Sequence, residues 1–469
     1  MTKPLKWSLI ALAALVLLLA IATALLSSVD VKSRVEVFAS QATGLTVAVG
    51  GKASVGLLPT LHVVLQGVTV RNADAEIASV GEADIGIAAW SLLRQQPRVN
   101  RLGLRDVKLE IERRRDGRYS FSVDRQGAGE VPALQLDRLS LTNASFRYAN
   151  RQREKEFRAS QCSLDSGDLQ LSAGAAADVL KNLTLTAEGS CAEVRNELFV
   201  GTDVEWSMAG EQGLFRFTPV TMQMLGGKGA GSIDAQFTQK IPTYRIRYAV
   251  TRLHLDDLFR SVSPGKKGEG FMDLTLDLTM HGFNADELTR TTQGEASLRG
   301  ENLEVAIGNL DEKLKRYESS QNFNLVDLGA FFIAGPLGTA VTKGYNFANV
   351  FRETEGSTSI RTLVSQWQVE DGVALAGDVA FATQENRLAM KGRLDFVNRK
   401  FDDVTVAVLD KEGCAAIEQK IRGPFSAPEI VKPNVIASLT GPFSNFIRGA
   451  KKIVGVQCEV FYQGSIPPG

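Results

Sequence analysis

The 469-residue chain is poor in the residues that carry most enzyme chemistry. It has three histidines, His62, His254 and His281, each in or beside a strand-like segment, and none has a Ser, Cys or carboxylate arranged around it as a triad. Its four cysteines, Cys162, Cys191, Cys414 and Cys458, form no Cys-x-x-Cys or Cys/His pattern, which removes the usual zinc frameworks. Charge of one sign is missing too. Lys plus Arg and Asp plus Glu both number 53, so no net field gathers a polyanion and nucleic acid is not an expected partner. The glycine-rich Leu225–Ser232 looks like a phosphate loop but lacks the Gly-Lys-Ser/Thr order and precedes a strand pattern, which makes it a turn. The acid pairs Asp256-Asp257 and Asp402-Asp403 are adjacent in sequence, point apart in an extended chain, and are expected in loops or caps. The cluster Arg113–Arg115 runs into Asp116-Gly117, a strong hairpin dipeptide, and so marks a solvated hairpin end. The expectation is a protein that is not an enzyme, with no catalytic residue, metal or cofactor.

One long hydrophobic run is present. Trp7–Leu26 carries no charge and, at about 1.5 Å per residue, makes roughly 30 Å of helix, the thickness of a bilayer core. Lys3 and Lys6 precede it, which favours a cytoplasmic N-terminus. The alternative is a cleaved secretory signal ending at Ala22–Ala24; the run is longer than a usual signal core, which favours an anchor. Both readings export the body. That body has a hydrophobic fraction (44% for the whole chain) too high for disorder and a length beyond one typical compact core.

After Val31, Val35, Phe38 and Ala42, which predict a short amphipathic helix, the apolar period drops to two. Leu45–Val49, Leu61–Leu65, Val68–Val70, Ala83–Ile87, Val107–Ile111, Leu134–Leu136, Leu139–Leu141, Phe146–Tyr148, Leu169–Leu171, Leu183–Thr186, Phe215–Phe217, Ile233–Phe237 and Tyr244–Tyr248 read as strands. The clearest is Phe271–Met280, with Leu274, Leu276, Leu278 and Met280 on one face and Asp273, Thr275, Asp277 and Thr279 on the other. Sheets of this kind are wet on one side, and the shortage of crossover helices predicts antiparallel pairing. Strands resume at Ser365–Val369, Val373–Gly377, Arg387–Phe396 and Val404–Val408.

Helical spacing returns at Leu303, Ile307, Leu310 and Leu314, in the apolar stretch Leu328–Val341, and in a stripe of Phe443, Phe446, Ile447, Ala450 and Val454 beside Arg448, Lys451 and Lys452. Leu328–Val341 is expected as a buried connection, with lipid contact as the alternative. The stripe either lies on a membrane surface, through Phe443, Phe446, Ile447, Arg448, Lys451 and Lys452, or caps the β body. A soft boundary near Ser263–Gly268 divides the chain into an anchor region 1–30, a first β region 31–265 and a second β region 266–469 with helical segments.

In an oxidising compartment, proximity in sequence suggests Cys162–Cys191 and Cys414–Cys458 among three possible connectivities. Each bridge is then worth about 3.5–4 kcal/mol in the chain-entropy account. Buried free thiols are the alternative.

Several of these segments occur in an order that resembles the AsmA family of envelope proteins. They are Thr43–Gly50, Leu57–Asn72 with its Pro-x-Leu strand and Gly-Val-x-Val-x-Asn turn, Trp90–Leu93, and Val107–Arg113 closing on Asp116-Gly117. Later, Leu225–Gly231 is similar to the family's Tyr-Gly-Gly turn, with Leu225 in place of Tyr, and Gly413–Pro428 with Cys458–Ser465 looks like its closing module. The resemblance implies a single-pass anchor in the inner membrane of a Gram-negative bacterium and a periplasmic body. It also implies relation to bridge-like lipid-transfer proteins, whose long curled antiparallel sheet forms a groove. The expected fold is accordingly mostly β, groove-like, with an N-terminal transmembrane helix and a few short helices. Val107, Leu109, Ile111, Leu274, Leu276, Leu278 and Met280 become candidate groove residues, and membrane phospholipid with an envelope protein the candidate partners. The competing reading is a non-enzymatic scaffold for outer-membrane protein assembly, its sheets closed as a sandwich.

Overall fold

The computed structural model describes most of residues 32–315, 356–435 and 459–467; residues 1–31, 316–355, 436–458 and 468–469 lie outside it, as do shorter stretches such as 89–98 and 121–129. The expected anchor Trp7–Leu26, the stretch Leu328–Val341 and the stripe Phe443–Val454 therefore fall outside the described residues. Among the described residues, no helix is long and apolar enough to cross a membrane. The chain divides into two compact units, Met1–Gln223 with Gly231–Tyr244, and Met224–Ala230 with Arg245–Gly469. The turn-rich stretch 263–268 lies inside the second, with 263–266 outside the described residues.

In the first unit the strands are β1 (Thr46–Val49), β2 (Ala53–Gly56), β3 (His62–Asn72), β4 (Ala75–Ile87), β5 (Val99–Arg113), β6 (Glu130–Val131), β7 (Leu134–Asn150), β8 (Lys155–Leu171), β9 (Gly174–Ala175), β10 (Leu183–Arg195), β11 (Val200–Glu211) and β12 (Leu214–Met224). Next come β13 (Gly227–Gln236) and β14 (Thr243–His254), each shared between the units. Both β1 and β2 pair with β3, the first along Val68–Arg71 and the second along His62–Leu65. Two segments that read as separate strands are thus one, bent at Gly67 (φ 65°), where Gly50 and Gly51 donate to the Gly67 and Gln66 carbonyls. Lys32, Ser33, Glu36, Val37, Ala39 and Ser40 are helical, as the sequence predicts. Ala39 is fully buried, and the Ser40 hydroxyl and Glu36 carboxylate accept the Val47 and Val49 amides at 3.0 and 2.7 Å.

Pairing continues antiparallel from β3 to β4 and β5, and from β7 through β8 and β10 to β11. One pair corrects the all-antiparallel expectation: β5 and β7 run parallel. After β5, Asp116-Gly117 makes the expected tight turn, with Ser120 donating back to Glu112, and the chain crosses to the next strand position through residues 114–133. Of this connection, residues 121–129 and 132 lie outside the described residues.

The second unit adds the helix Leu255–Val262, β15 (Gly268–His281), the helix Ala285–Thr291, β16 (Gln293–Val305), the helix Leu310–Lys315, β17 (Thr358–Glu370), β18 (Val373–Ala382), β19 (Arg387–Asp395), β20 (Lys400–Leu409), β21 (Ala415–Pro424), β22 (Glu429–Ile430) and β23 (Asn434–Val435). From β15 to β21 each strand pairs antiparallel with the next. The helix expected over Leu303–Leu314 is corrected: Leu303 lies in β16, which runs to Val305, and only Leu310–Lys315 is helical. Leu303, Leu310 and Leu314 still enter one core, because a strand end and a following helix both face it. Asp256 and Asp257 sit in the first helical turn, not a loop, and Asp256 pairs with Arg260 at 2.7 Å. Asp402 and Asp403 lie within β20 at a bulge and pair with Arg393 and Arg422. Asn284 caps the helix Ala285–Thr291, its side chain accepting the Asp286 and Glu287 amides.

Candidate functional site

In the first unit the ladder register builds an apolar row across consecutive strands. Ala83 faces Leu104, Leu104 faces Leu141, Leu141 faces Leu164, Leu164 faces Gly189, and Gly189 faces Trp206. β12 is the hydrogen-bonded neighbour of β11, joined through the two-residue turn Gln212-Gly213, and Phe217 meets Trp206 edge-on at 5.8 Å. From β5 to β12 this strip spans roughly 24 Å at about 4.8 Å per strand step. Leu104, Leu141, Leu164, Trp206 and Phe217 are half-buried. A few residues along the same strands, Ile85, Leu102, Leu136 and Leu169 are 0–4% exposed. The apolar face is thus packed at one level and open at the next.

A line of left-handed residues explains where the face opens. Asp106 in β5, Asn143 in β7, Gln161 in β8 and Asp203 in β11 have φ of 50–53°, and the β7–β8 register slips beside Asn143 and Gln161. A slip of this kind is a bulge, which bends the strands there. Asn143 ties two of them together by donating to the Asp106 carboxylate at 2.6 Å. Cys162 and Cys191 are register partners on this line and form a disulfide. Alternation from Leu164 and Gly189 puts that bridge on the apolar face. Cys414 is disulfide-bonded as well, and it makes an isolated bridge with Val460; Cys458 lies outside the described residues.

The opposite face is ionic. Arg101 pairs with Asp84, Arg105 with Glu82 and Arg138 with Asp165, at 3.6, 3.1 and 2.6 Å. A shallow concavity of about 550 Å³ is lined by Ser163, Asp165, Glu188, Ser190, Glu205 and Ser207 together with Leu141, Leu164 and Trp206, so its lining is mixed polar and apolar.

Of the sequence-predicted groove residues, Val107 and Leu109 are half-buried, while Ile111 is 3% exposed and packs with Tyr119 in a local core. In the second unit Leu274, Leu276, Leu278 and Met280 are half-buried along one face of β15. Their partners recede into a sealed core: Leu276 faces Ala296, and Ala296 faces Trp367, which is 1% exposed and donates to the Ser365 hydroxyl at 2.9 Å. Phe381, Leu388, Met390 and Phe401 complete it. Strands β17 to β20 are buried on the other face too, where Val364, Ala380, Ala389 and Ala407 lie under Tyr462 and Ile466. Phe443, Phe446, Ile447, Arg448, Lys451 and Lys452 lie outside the described residues. Leu104, Leu164, Trp206 and Phe217 escaped the candidate groove set. Their alternation is visible in Ser163-Leu164-Asp165, but the bulges at Asn143 and Gln161 break the longer period.

His254 stacks edge-on with Phe271 at 5.0 Å and lies 3.5 Å from Asp257, with no nucleophile beside it. Among the described residues no cluster of His, Cys, Asp and Glu has a metal-holding arrangement.

The described residues thus define a mostly β protein that presents a half-open apolar sheet face, backed by a solvated ionic one. The AsmA family model matches residues 1–128 and 125–332, and the chain belongs to the AsmA family. A search of curated proteins found no match.

Proposed function

We propose that this protein is an inner-membrane-anchored, periplasmic member of its family that binds phospholipid acyl chains along the apolar strip of the first unit and supports lipid transport or outer-membrane homeostasis. The observation that carries the reading is the half-exposed row Leu104, Leu141, Leu164, Trp206 and Phe217. A monomer left with such a strip in water forgoes about 25 cal/mol for each Å² of apolar surface it leaves uncovered, and an acyl chain recovers that. No catalytic group is needed, because moving hydrocarbon through water is the barrier and an apolar lining lowers it by about 0.8 kcal/mol per methylene. In this reading Trp7–Leu26 is the tether, and the stripe with Arg448, Lys451 and Lys452 contacts the membrane surface.

The test is extraction of the full-length protein in mild detergent and mass spectrometry of what it retains. Co-purified phospholipid that is lost in Leu164→Asp, at unchanged circular dichroism and melting temperature, supports the reading; a lipid-free wild-type protein overturns it. In the second unit the packing of β17 to β20, buried on both faces, favours a scaffold role for those four strands, while the half-buried β15 row Leu274, Leu276 and Leu278 can take an acyl chain. Crosslinking in cells that captures outer-membrane assembly factors through the second unit, in a protein carrying no lipid, would make scaffolding the main function.

A further inference from the structure

Tyr248 lies in β14 two residues before Val250, which is fully buried, so alternation puts both side chains on the apolar face of the second unit. Its ring packs at the margin of that unit's core, where Leu274 and Leu278 of the half-buried β15 row also pack. The hydroxyl oxygen is shielded from solvent and has no hydrogen-bond partner. A buried hydroxyl left unpaired costs about 1–3 kcal/mol, so a sequence with no use for it would carry Phe. Burial pushes the phenol up to about 12, which keeps it a proton donor at physiological pH.

The opposing strand accommodates it. Gly229 of β13 is buried, and a Cβ built there would collide with the Tyr248 hydroxyl. Gly229 does not have a positive φ, so the glycine is needed for space and not for backbone conformation. Arg245 and Arg247 alternate to the other face, where Arg245 pairs with Asp277 at 3.0 Å. A neutral donor among apolar side chains, with Arg245 and Arg247 on the other face, suits a ligand that is mainly hydrocarbon with an isolated neutral acceptor. It does not suit a phosphate.

We propose that the Tyr248 hydroxyl is a specificity-determining donor to the ester carbonyl of a glycerolipid whose chain lies along Leu274, Leu276 and Leu278. The inference rests on the lipid-binding reading above, extends it from the strip of the first unit to the β15 row of the second, and adds the chemical class the protein selects: ester-linked over ether-linked chains.

The test is competition binding by the detergent-solubilised full-length protein, using a diacyl phospholipid and its diether analogue with the same headgroup and chain length. Wild type is expected to prefer the ester by about three- to tenfold, the range of one net hydrogen bond. Tyr248→Phe and Gly229→Ala are expected to bind the diether as wild type does and to lose the preference. Tyr248→Phe should keep or raise the melting temperature, since it removes an unpaired polar atom. Ester preference retained in Tyr248→Phe, or absent in wild type that binds both lipids, overturns this inference alone. Binding of neither lipid by wild type overturns the lipid-binding reading and this inference with it.

Discussion

The indole of Trp206 lies over Gly189, its register partner across β10 and β11, and occupies the space in which any side chain at 189 would stand. The glycine therefore sets the position of the largest residue in the open strip, and through it the edge contact with Phe217.

Gly189→Ala forces the indole off its seat. The expected cost is about 1–3 kcal/mol, the range for overpacking a fitted site, read as a lower urea midpoint at unchanged slope. Trp206 fluorescence should shift to the red as the ring enters solvent, and lipid retention should fall with it.

Cys162–Cys191 closes a loop of sequence separation 29 at the line of left-handed residues. Cys162→Ser with Cys191→Ser is expected to cost about 3–4 kcal/mol of stability in the first unit, from freedom regained by the unfolded chain. Denaturant titration with and without reductant checks it: wild type should lose a comparable amount on reduction, and the double variant nothing from this bridge.

Glu156 accepts from Arg158 and Arg147, and these guanidiniums hold its carboxyl at about 2 instead of the ordinary 4.5. A carboxylate whose value is depressed in the folded state adds stability above its unfolded value and loses it as the pH falls through the folded one. The contribution should therefore be full above about pH 4.5 and disappear by about pH 2. The side chain is 34% exposed, so solvent screening reduces the effect to about 1 kcal/mol. Chemical denaturation of wild type and Glu156→Gln across this window should give curves that converge at the acid end.

Tyr462 closes the C-terminal segment over β17 to β20. Its hydroxyl donates to Asp378 at 2.5 Å and accepts the Ile466 amide at 3.1 Å, while Arg387 reaches the Ile466 carbonyl at 3.1 Å. Tyr462→Phe strands the Ile466 amide and leaves the Asp378 carboxylate with the Ser465 amide, at 3.1 Å, in place of two donors. A loss of about 1–3 kcal/mol is expected, with faster hydrogen exchange at Ile466 and at the β18 amides around Asp378.

Much of the strand content was legible because one face is wet: Leu274 to Met280 alternates with Asp273 to Thr279, and that period survives without any tertiary information. Of the stretch Leu225–Ser232 read as a turn, Leu225-Gly226 does turn, both residues at positive φ, which Gly favours, while Gly227–Ser232 belongs to β13. Less visible were the helices at Leu255–Val262 and Ala285–Thr291. Each spans only about two turns, too little to establish a period, although the Asn284 cap with Glu287 three residues on is a local signal that could have been read.

The sequence by itself determined that the chain is β-rich, that many of its strands, such as Phe271–Met280, are apolar on one side, that Cys162 and Cys191 are candidate partners, and that its modules follow the family's order. These are local properties, set by side-chain period, turn chemistry and spacing. Only the tertiary structure decided that β5 and β7 run parallel, that the left-handed residues Asp106, Asn143, Gln161 and Asp203 fall on one line, and that Leu164 and Trp206 stay half-open while Ile111 and Trp367 are sealed. Burial depends on what the register brings alongside each residue, and register is a relation between strands distant in the chain.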